Sequence, residues 1–347
     1  MEIKLKKVLV VSHHAKGGGK PLDSLWFSAN TCLSSGIALE FLHSKKIQDL
    51  KKMMWSKRVL FDGIGSLSGR FGLLYYYLAV ILNKRIALYW HETEYSIERF
   101  QNLSSKNKHI LNKIITNKNV LHFHVCEYGI NMLQAKFGIG KKNVYKLNNI
   151  TESAFLLNTP LPIKLNSDLF VACGTVFHRK GVDLFIDIAQ AVLKHKPNAI
   201  FIWIGKFTSD RYCEGSIMDE LTKRDLRGKV IFTGEVARPD IIIAQAKAFL
   251  LTSRDDPMPK VLMEALALGK ECIAFDVGGV SELLSHYGTL IPFGDIDKFV
   301  DAVLNFRGND PEKQLEMRNW YIQRYTPAAF AKRFKVAVDY WDNLTKH

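Results

Sequence analysis

The strongest constraint on this chain is an alternation. Short apolar runs, "KVLVVS", "ALEFL", "RVLFD" and "RIALYW", are separated by segments of helical pattern such as 71–82. Strands that alternate with helices in this way build a parallel α/β sheet. A break rich in Asn, Pro, Ser and Thr follows at 147–168, "LNNITESAFLLNTPLPIKLNSD", and a second series begins after it: "LFVACG", "AIFIWIG", "VIFTGE", "AFLLTS", "CIAFD" and "GTLIPF". Two Rossmann-like domains joined by a linker account for the whole pattern. We place the first at 1–158 and the second at 159–327. The tail is interrupted at Thr326-Pro327, which predicts two terminal helices with a kink between them, the last (328–347) packing back on the first domain.

At 347 residues, 47% of them apolar, the chain is long enough for two domains with ordinary cores. Its five cysteines, Cys32, Cys126, Cys173, Cys213 and Cys272, are scattered, without a CxxC pair or a zinc spacing. A reduced, cytoplasmic chain is expected. The opening "MEIKLKKVLVVSHH" has too short an apolar run for a signal peptide and reads as a first strand. The longest apolar run, 71–82, falls short of the roughly 20 residues of a membrane span and reads as a core helix.

Charge is distributed unevenly. Residues 1–150 hold 23 Lys and Arg against 9 Asp and Glu, whereas residues 151–347 hold 25 of each, so the formal net charge of +14 belongs to the first half. That half is expected to face a large anionic partner, a membrane surface or a nucleic acid, with a solvated basic surface as the plainer alternative. The stretch 47–61, "IQDLKKMMWSKRVLF", sets Lys51, Lys52, Lys57 and Arg58 among Met53, Met54 and Trp55. Such a mixture lets a soluble protein rest on an anionic bilayer, unless Met and Trp pack inward. No recognition motif accompanies it, so nucleic acid is not expected.

Ligands of open parallel sheets bind beyond the carboxyl ends of the strands. Two loops of the second series stand out there. "GTVFHRKG" (174–181) sets Arg179 and Lys180 side by side between glycines; their mutual repulsion makes an anion one reason for them, and a solvated turn the other. "DDPMPKVLMEALALG" (255–269) is a helix start marked by Pro257 and Pro259. Lys260 then lies at the positive end of the helix dipole, where a cation is disfavoured. A phosphate held by the N–H groups of Lys260, Val261 and Leu262 would remove the objection. From Val261 to Leu268 the helix is apolar on nearly every face, with Glu264 its one carboxylate. A buried carboxylate needs a partner; an i, i+4 pair with Lys260 is the plain one, in its weaker orientation. Together the two loops describe a pocket for a ribose and a diphosphate.

These residues resemble the family 4 glycosyltransferases, retaining enzymes of the GT-B fold. That family's donor domain carries a glycine loop ending Arg-Lys-Gly, a "FxG" strand end, E-x7-E within "EPFxxVxxEAxAxG", and "GGxxE". Here "GTVFHRKG", "IFTGE", "DDPMPKVLMEALALG" and "GGVSE" (278–282) follow in that order over roughly residues 170–285. The resemblance implies two Rossmann-like domains facing each other across a cleft. It implies that Arg179 and Lys180 neutralise the donor diphosphate and stabilise the leaving group, that Glu264 holds the ribose, and that Gly234 lies near the base. Gly174, Met258, Pro259, Lys260 and Val261 complete the donor-binding set. Asp256 stands where the family has a glutamate that contacts the transferred sugar, one methylene shorter, which bears on sugar choice.

In the first domain, "KGGGK" (16–20) resembles the glycine-rich loop near donor phosphates and acceptor, with Gly18 and Gly19 as the binding glycines and a flexible loop as the alternative. His91, ending a strand in "LYWHETEY", stands where the family often has a histidine facing the donor sugar; a structural histidine is the alternative. The segment is not HExxH, so zinc is not expected. "FHVCEYGINML" and "VYKLNNI" also resemble family segments and are assigned structural roles. "GIGSLSG" (63–69) imitates a dinucleotide fingerprint with the wrong spacing, and no acidic strand end follows for a ribose unless Glu92 serves, so a nicotinamide enzyme is set aside.

The expectation is thus a hexosyltransferase that uses a UDP- or GDP-sugar, Asp256, His91, Arg179 and Lys180 being its catalytic residues. It needs neither metal nor cofactor. Its acceptor is a glycan or lipid-linked glycan of surface polysaccharide, lipopolysaccharide or glycolipid synthesis, and the protein is cytoplasmic and peripheral at the inner face of the membrane. A nucleotide-sugar epimerase or hydrolase of the same fold and a catalytically silent nucleotide-binding protein are the alternatives.

Overall fold

The computed structural model describes residues 5–13, 23–45, 50–68, 71–94, 97, 105–152, 154–160, 168–209, 211–308 and 310–344. The chain divides into two units, one of Met1–Glu152 with Arg324–His347 and one of Ser153–Gln323. In the first, strands β1 (Lys6–Ser12), β2 (Ile37–His43), β3 (Arg58–Asp62), β4 (Arg85–Trp90), β5 (Val120–His124) and β6 (Val144–Lys146) form a parallel sheet in the order β2-β1-β3-β4-β5-β6. Its order reverses between β1 and β3, where Ser12 is the register partner of Asp62. A reversal of this kind opens a crevice at the carboxyl ends of the two strands.

The helix Gly72–Ile81 packs Tyr75, Tyr76 and Ala79 onto Phe61, Leu88 and Trp90 of this sheet. The run 71–82 is therefore core on one face only: Leu74, Tyr77, Val80 and Ile81 are exposed. In the basic stretch 47–61 the alternative of apolar side chains packing inward holds in part. Met53 is buried in the core, Lys52 pairs with Glu40, and Lys7 lies over the half-buried Trp55 ring. Arg58 donates two hydrogen bonds to Asp342, at 2.7 and 2.6 Å. Among the described residues of this stretch, Leu50, Lys51, Met54 and Lys57 are exposed.

The helices Pro311–Tyr325 and Pro327–Leu344 meet at Thr326. A proline at the first helical position lacks only an N–H that would have no helical acceptor, so the second helix starts where the first must stop. It buries Phe330, Phe334, Val338 and Trp341. Asp342 also accepts from Arg85 and Lys6, tying this helix to the amino ends of β1, β3 and β4. Burial would raise the Asp342 carboxyl, but Arg58 and Lys6 outweigh it and hold it below its ordinary range.

In the second unit β7 (Leu169–Cys173), β8 (Ile200–Ile204), β9 (Val230–Phe232), β10 (Ala248–Leu251), β11 (Cys272–Asp276) and β12 (Gly288–Pro292) form a parallel sheet in the order β12-β11-β10-β7-β8-β9. The reversal falls between β7 and β10. Phe185, from the helix Val182–Leu193, packs its ring against Phe201 and Trp203 over this sheet. Each such buried aromatic contributes about 2–3 kcal/mol. The Trp203 indole N–H also donates to the Gly174 carbonyl at 2.8 Å, which joins the core to the loop after β7.

Candidate functional site

The crevice of the second unit is built from two loops that leave adjacent strands and are then bonded to each other. After β7 the chain makes a short turn, His178–Lys180, and enters its helix through Gly181 at φ +70°. A Cβ there would stand 1.8 Å from the Thr252 carbonyl oxygen, so only glycine fits. The Arg254 N–H donates to Arg179 O at 2.8 Å, and its guanidinium donates to His178 O and, through two bonds, to Asp183. Arg179 returns a bond to Asp255 O at 2.7 Å. Two loops of distant sequence thus behave as one rigid rim.

Within that rim Lys180 Nζ donates to Asp256 Oδ2 at 2.5 Å, and Arg179 Nη1 lies 3.9 Å from the same oxygen. Asp256 is only 5% exposed, and its carbonyl accepts the Gly279 N–H of the "GGVSE" loop. The cation pair consequently has an anion inside the protein, and neither an outside anion nor a solvated turn is required to explain it. Asp256 and the two cations form one charge cluster, which fixes its members in place.

The helix Lys260–Ala267 begins after Pro259. Leu262 N–H donates to Pro259 O at 3.1 Å, so one of the three donors expected for an anion is taken up in the first turn. Met258 and Pro259 are buried, and Lys260 and Val261 are half-buried. The half-buried Glu264 carboxylate has no hydrogen-bond partner among the described residues. Desolvation pushes its pKa up to about 7, against the pull of the Lys260 charge. Cys173, the last residue of β7, feels Glu264 and Lys180 together: burial and then the Glu264 charge push its thiol up to about 12, while Lys180 opposes them. The Cys173 thiol at the end of β7 is thus within reach of both charges, one from each loop.

Three features of this unit were missed in the sequence. One is Cys173 itself. Another is Ser253, two residues after β10, whose buried hydroxyl has no hydrogen-bond partner among the described residues. The third is a cavity of about 580 Å³ lined by Thr175, Lys206, Phe207, Thr208 and Ser209. Gly234 borders it, since a Cβ there would meet Phe207 and its carbonyl accepts the Gly205 N–H. A glycine closing "IFIWIGK" at a strand end was the available signal.

In the first unit the crevice at β1 and β3 holds a different set. Asp62, fully buried, accepts from Ser12 Oγ at 2.8 Å through Oδ2, and its Oδ1 lies 3.2 Å from His91 Nε2. A carboxylate only accepts, so Nε2 donates to Asp62, and in the neutral ring Nδ1 is then the acceptor. That Nδ1 is buried without a partner among the described residues. Glu92 accepts from the N–H groups of Ile64 and His91 at 2.8 and 2.9 Å, so its carboxylate is engaged within the protein and is not offered to a ribose. Burial nevertheless raises its pKa, against the lowering by His91 and those two N–H groups. His124 Nε2 lies 3.1 Å from Glu92 O, and burial lowers its pKa to about 4. Gly18 and Gly19 lie outside the described residues. Among those described, no three His, Cys, Asp or Glu side chains gather as metal ligands would.

Residues 167–309 match the family described as glycosyl transferases group 1. The chain is 30% identical over 148 residues to the lipopolysaccharide core biosynthesis mannosyltransferase LpsB of Rhizobium meliloti, across 41% of this chain and 42% of that protein. It is 27% identical over 155 residues to the UDP-Gal:alpha-D-GlcNAc-diphosphoundecaprenol alpha-1,3-galactosyltransferase of Escherichia coli, across 42% and 38%. The chain thus spans about two fifths of the length of these curated relatives. The crystal structure of HepE from Anabaena with UDP-glucose superposes with a TM-score of 0.72 at 16% identity, over 96% of this chain and 99% of that one. At that identity the likeness shows the fold: GT-B, with two Rossmann-like domains.

Proposed function

We propose, on the premise that the second unit of this chain belongs to the glycosyl transferases of group 1, that the protein is a retaining glycosyltransferase. It moves a hexose from a UDP- or GDP-sugar to a glycan or lipid-linked acceptor in the synthesis of a surface polysaccharide, lipopolysaccharide or glycolipid. The reading rests on one observation above all. Arg179, Lys180, Asp256, Lys260 and Glu264 come from two loops bonded together at the reversal of a parallel sheet, where ligands of such sheets bind.

In this reading the diphosphate docks beside Arg179 and Lys180 at the start of the Lys260 helix. Negative charge that develops on the leaving phosphate as the glycosidic bond breaks is met by fixed cations and helix-end amides, so no metal is needed. Glu264 accepts the ribose hydroxyls. A desolvated carboxylate without partners gains more from two hydroxyl donors than a solvated one would. Asp256, steadied by Lys180, contacts hydroxyls of the transferred sugar, and Nδ1 of His91 accepts from a sugar hydroxyl. The base lies by Gly234 and the Lys206-Phe207 cavity. The named activities of the two curated relatives support transfer of a sugar within lipopolysaccharide or lipid-linked glycan synthesis.

Calorimetry with UDP and GDP on the wild type and on Lys180→Ala tests the donor site. One nucleotide is expected to bind, and the variant to bind it about 100-fold more weakly, the scale of a lost charge-assisted hydrogen bond. Absence of binding to either nucleotide overturns the reading. Donor turnover that requires a sugar acceptor separates transfer from epimerisation and hydrolysis.

A further inference from the structure

We propose that the amino-end edge of the first sheet is a docking surface for an anionic lipid bilayer, with a lipid phosphate drawn into a lysine-lined cavity beneath it. The cavity, of about 760 Å³, lies at the amino ends of β3, β4 and β5 and includes Lys57, Lys84, Arg85 and Lys118 in its lining. Among the described residues, none that lines it is acidic. Arg85 is held by Asp342 at 2.7 Å, but Lys57, Lys84 and Lys118 have no carboxylate partner among the described residues. Lys84 has its pKa lowered by burial and then by the charge of Lys57, as expected of cations that share a space without an anion.

An apolar stripe runs into this cavity. On the helix Gly72–Ile81, Leu74, Tyr77 and Ile81 recur at helical spacing and are 40%, 48% and 77% exposed. Val80, next to them and 48% exposed, also lines the cavity. The outer face of a helix on a soluble α/β unit is ordinarily polar. Large apolar groups flanked by unpaired lysines match a bilayer instead: the apolar side chains enter the acyl boundary while the ammonium groups stay level with the phosphates. A nucleic acid would use the lysines and leave Ile81 and Tyr77 in water. A second copy packed about a two-fold axis through the stripe would bring the lysines of both chains close together.

This surface is separate from the chemistry. Strands β3 and β5 are five residues long, so the cavity at their amino ends lies about 15 Å from Asp62 and His124 at their carboxyl ends. The proposal does not rest on the donor-site reading.

Flotation of the whole chain with phosphatidylcholine vesicles, with and without phosphatidylglycerol, tests it. The wild type is expected to float with the anionic vesicles only. The combined variant Lys57→Gln, Lys84→Gln and Lys118→Gln should weaken vesicle binding about 100-fold, and Ile81→Asp about tenfold. UDP and GDP binding, measured on the same preparations, should be unchanged in both variants, which separates failure of docking from failure of the donor site. A wild type that ignores phosphatidylglycerol overturns the proposal, as do variants that float like the wild type. So does a dimer, seen by light scattering, that Ile81→Asp dissolves.

Discussion

At the order reversal of the first sheet lie Ser12, Asp62, His91 and Glu92; at that of the second lie Arg179, Lys180, Asp256 and Glu264. Both crevices stand on six parallel strands among the described residues. The described part of the first is lined by carboxylates, a hydroxyl and histidine, although its unit carries the whole excess of positive charge. The second gathers cations, although its half of the sequence is neutral. In the first unit the unpaired lysines sit at the other end of the strands, around Lys57, Lys84 and Lys118. Net charge, summed over each half, therefore does not show in which crevice the cations gather.

The largest expected contrast is mechanical. Gly181→Ala would force a Cβ to within 1.8 Å of the Thr252 carbonyl at φ +70° and should cost the second unit about 3 kcal/mol. Gly63, at φ +73°, faces instead the end of the Glu92 side chain at 2.8 Å. That end can yield, so Gly63→Ala should cost about 1 kcal/mol. Urea denaturation of the two variants measures the difference. Equal losses would mean that the rim of the second crevice is no more rigid than the first.

The next contrast is electrostatic. Removing one charge from the neutral half, by Lys180→Ala, should weaken nucleotide binding about 100-fold. Removing three from the basic half, at Lys57, Lys84 and Lys118, should leave it within about twofold, because these lysines belong to the other unit and line none of the donor loops. Calorimetry that ranks the two the other way breaks the comparison.

A smaller effect divides binding from turnover. His91→Ala should lower kcat about tenfold with nucleotide affinity nearly unchanged, since its free Nδ1 is read as meeting the sugar and not the nucleotide. Steady-state kinetics beside calorimetry checks this, and a loss of nucleotide affinity instead would move His91 to another role.

The smallest effect is in pH. Glu264 has its carboxyl raised from 4.5 to about 7 in the folded chain. Between those values the unfolded chain has lost a proton that the folded one keeps, so this group lowers stability as pH rises, with its full penalty present above about 7. Hydroxyl donors favour the ionised form, so nucleotide affinity should rise a few-fold as pH passes through about 7. Glu264→Gln should flatten that rise. A variant that keeps the slope places the titration elsewhere.

Much of the fold and part of the site were legible in the residues alone. Apolar runs alternating with helical segments are a local record of burial, and all ten of the strands they mark exist. The same local record explains the misses. The strand β5, "VLHFH", carries two histidines, and β6 spans three residues, so neither displays an apolar run. The motif residues Arg179, Lys180, Asp256 and Glu264 could be named from their spacing, because strand ends and helix starts are local events. What the tertiary structure alone decided is which of them meet. Lys180 and Asp256 are 76 residues apart and bond only because β7 and β10 are neighbours. Glu92 turns inward because the turn after β3 brings the Ile64 N–H to it. One helix, Gly72–Ile81, is apolar all round in sequence, yet only one face is covered. A linear pattern records the propensity of each segment to be buried, whereas partners, and the faces left without one, are set by the strand order, which rests on pairings between distant parts of the chain.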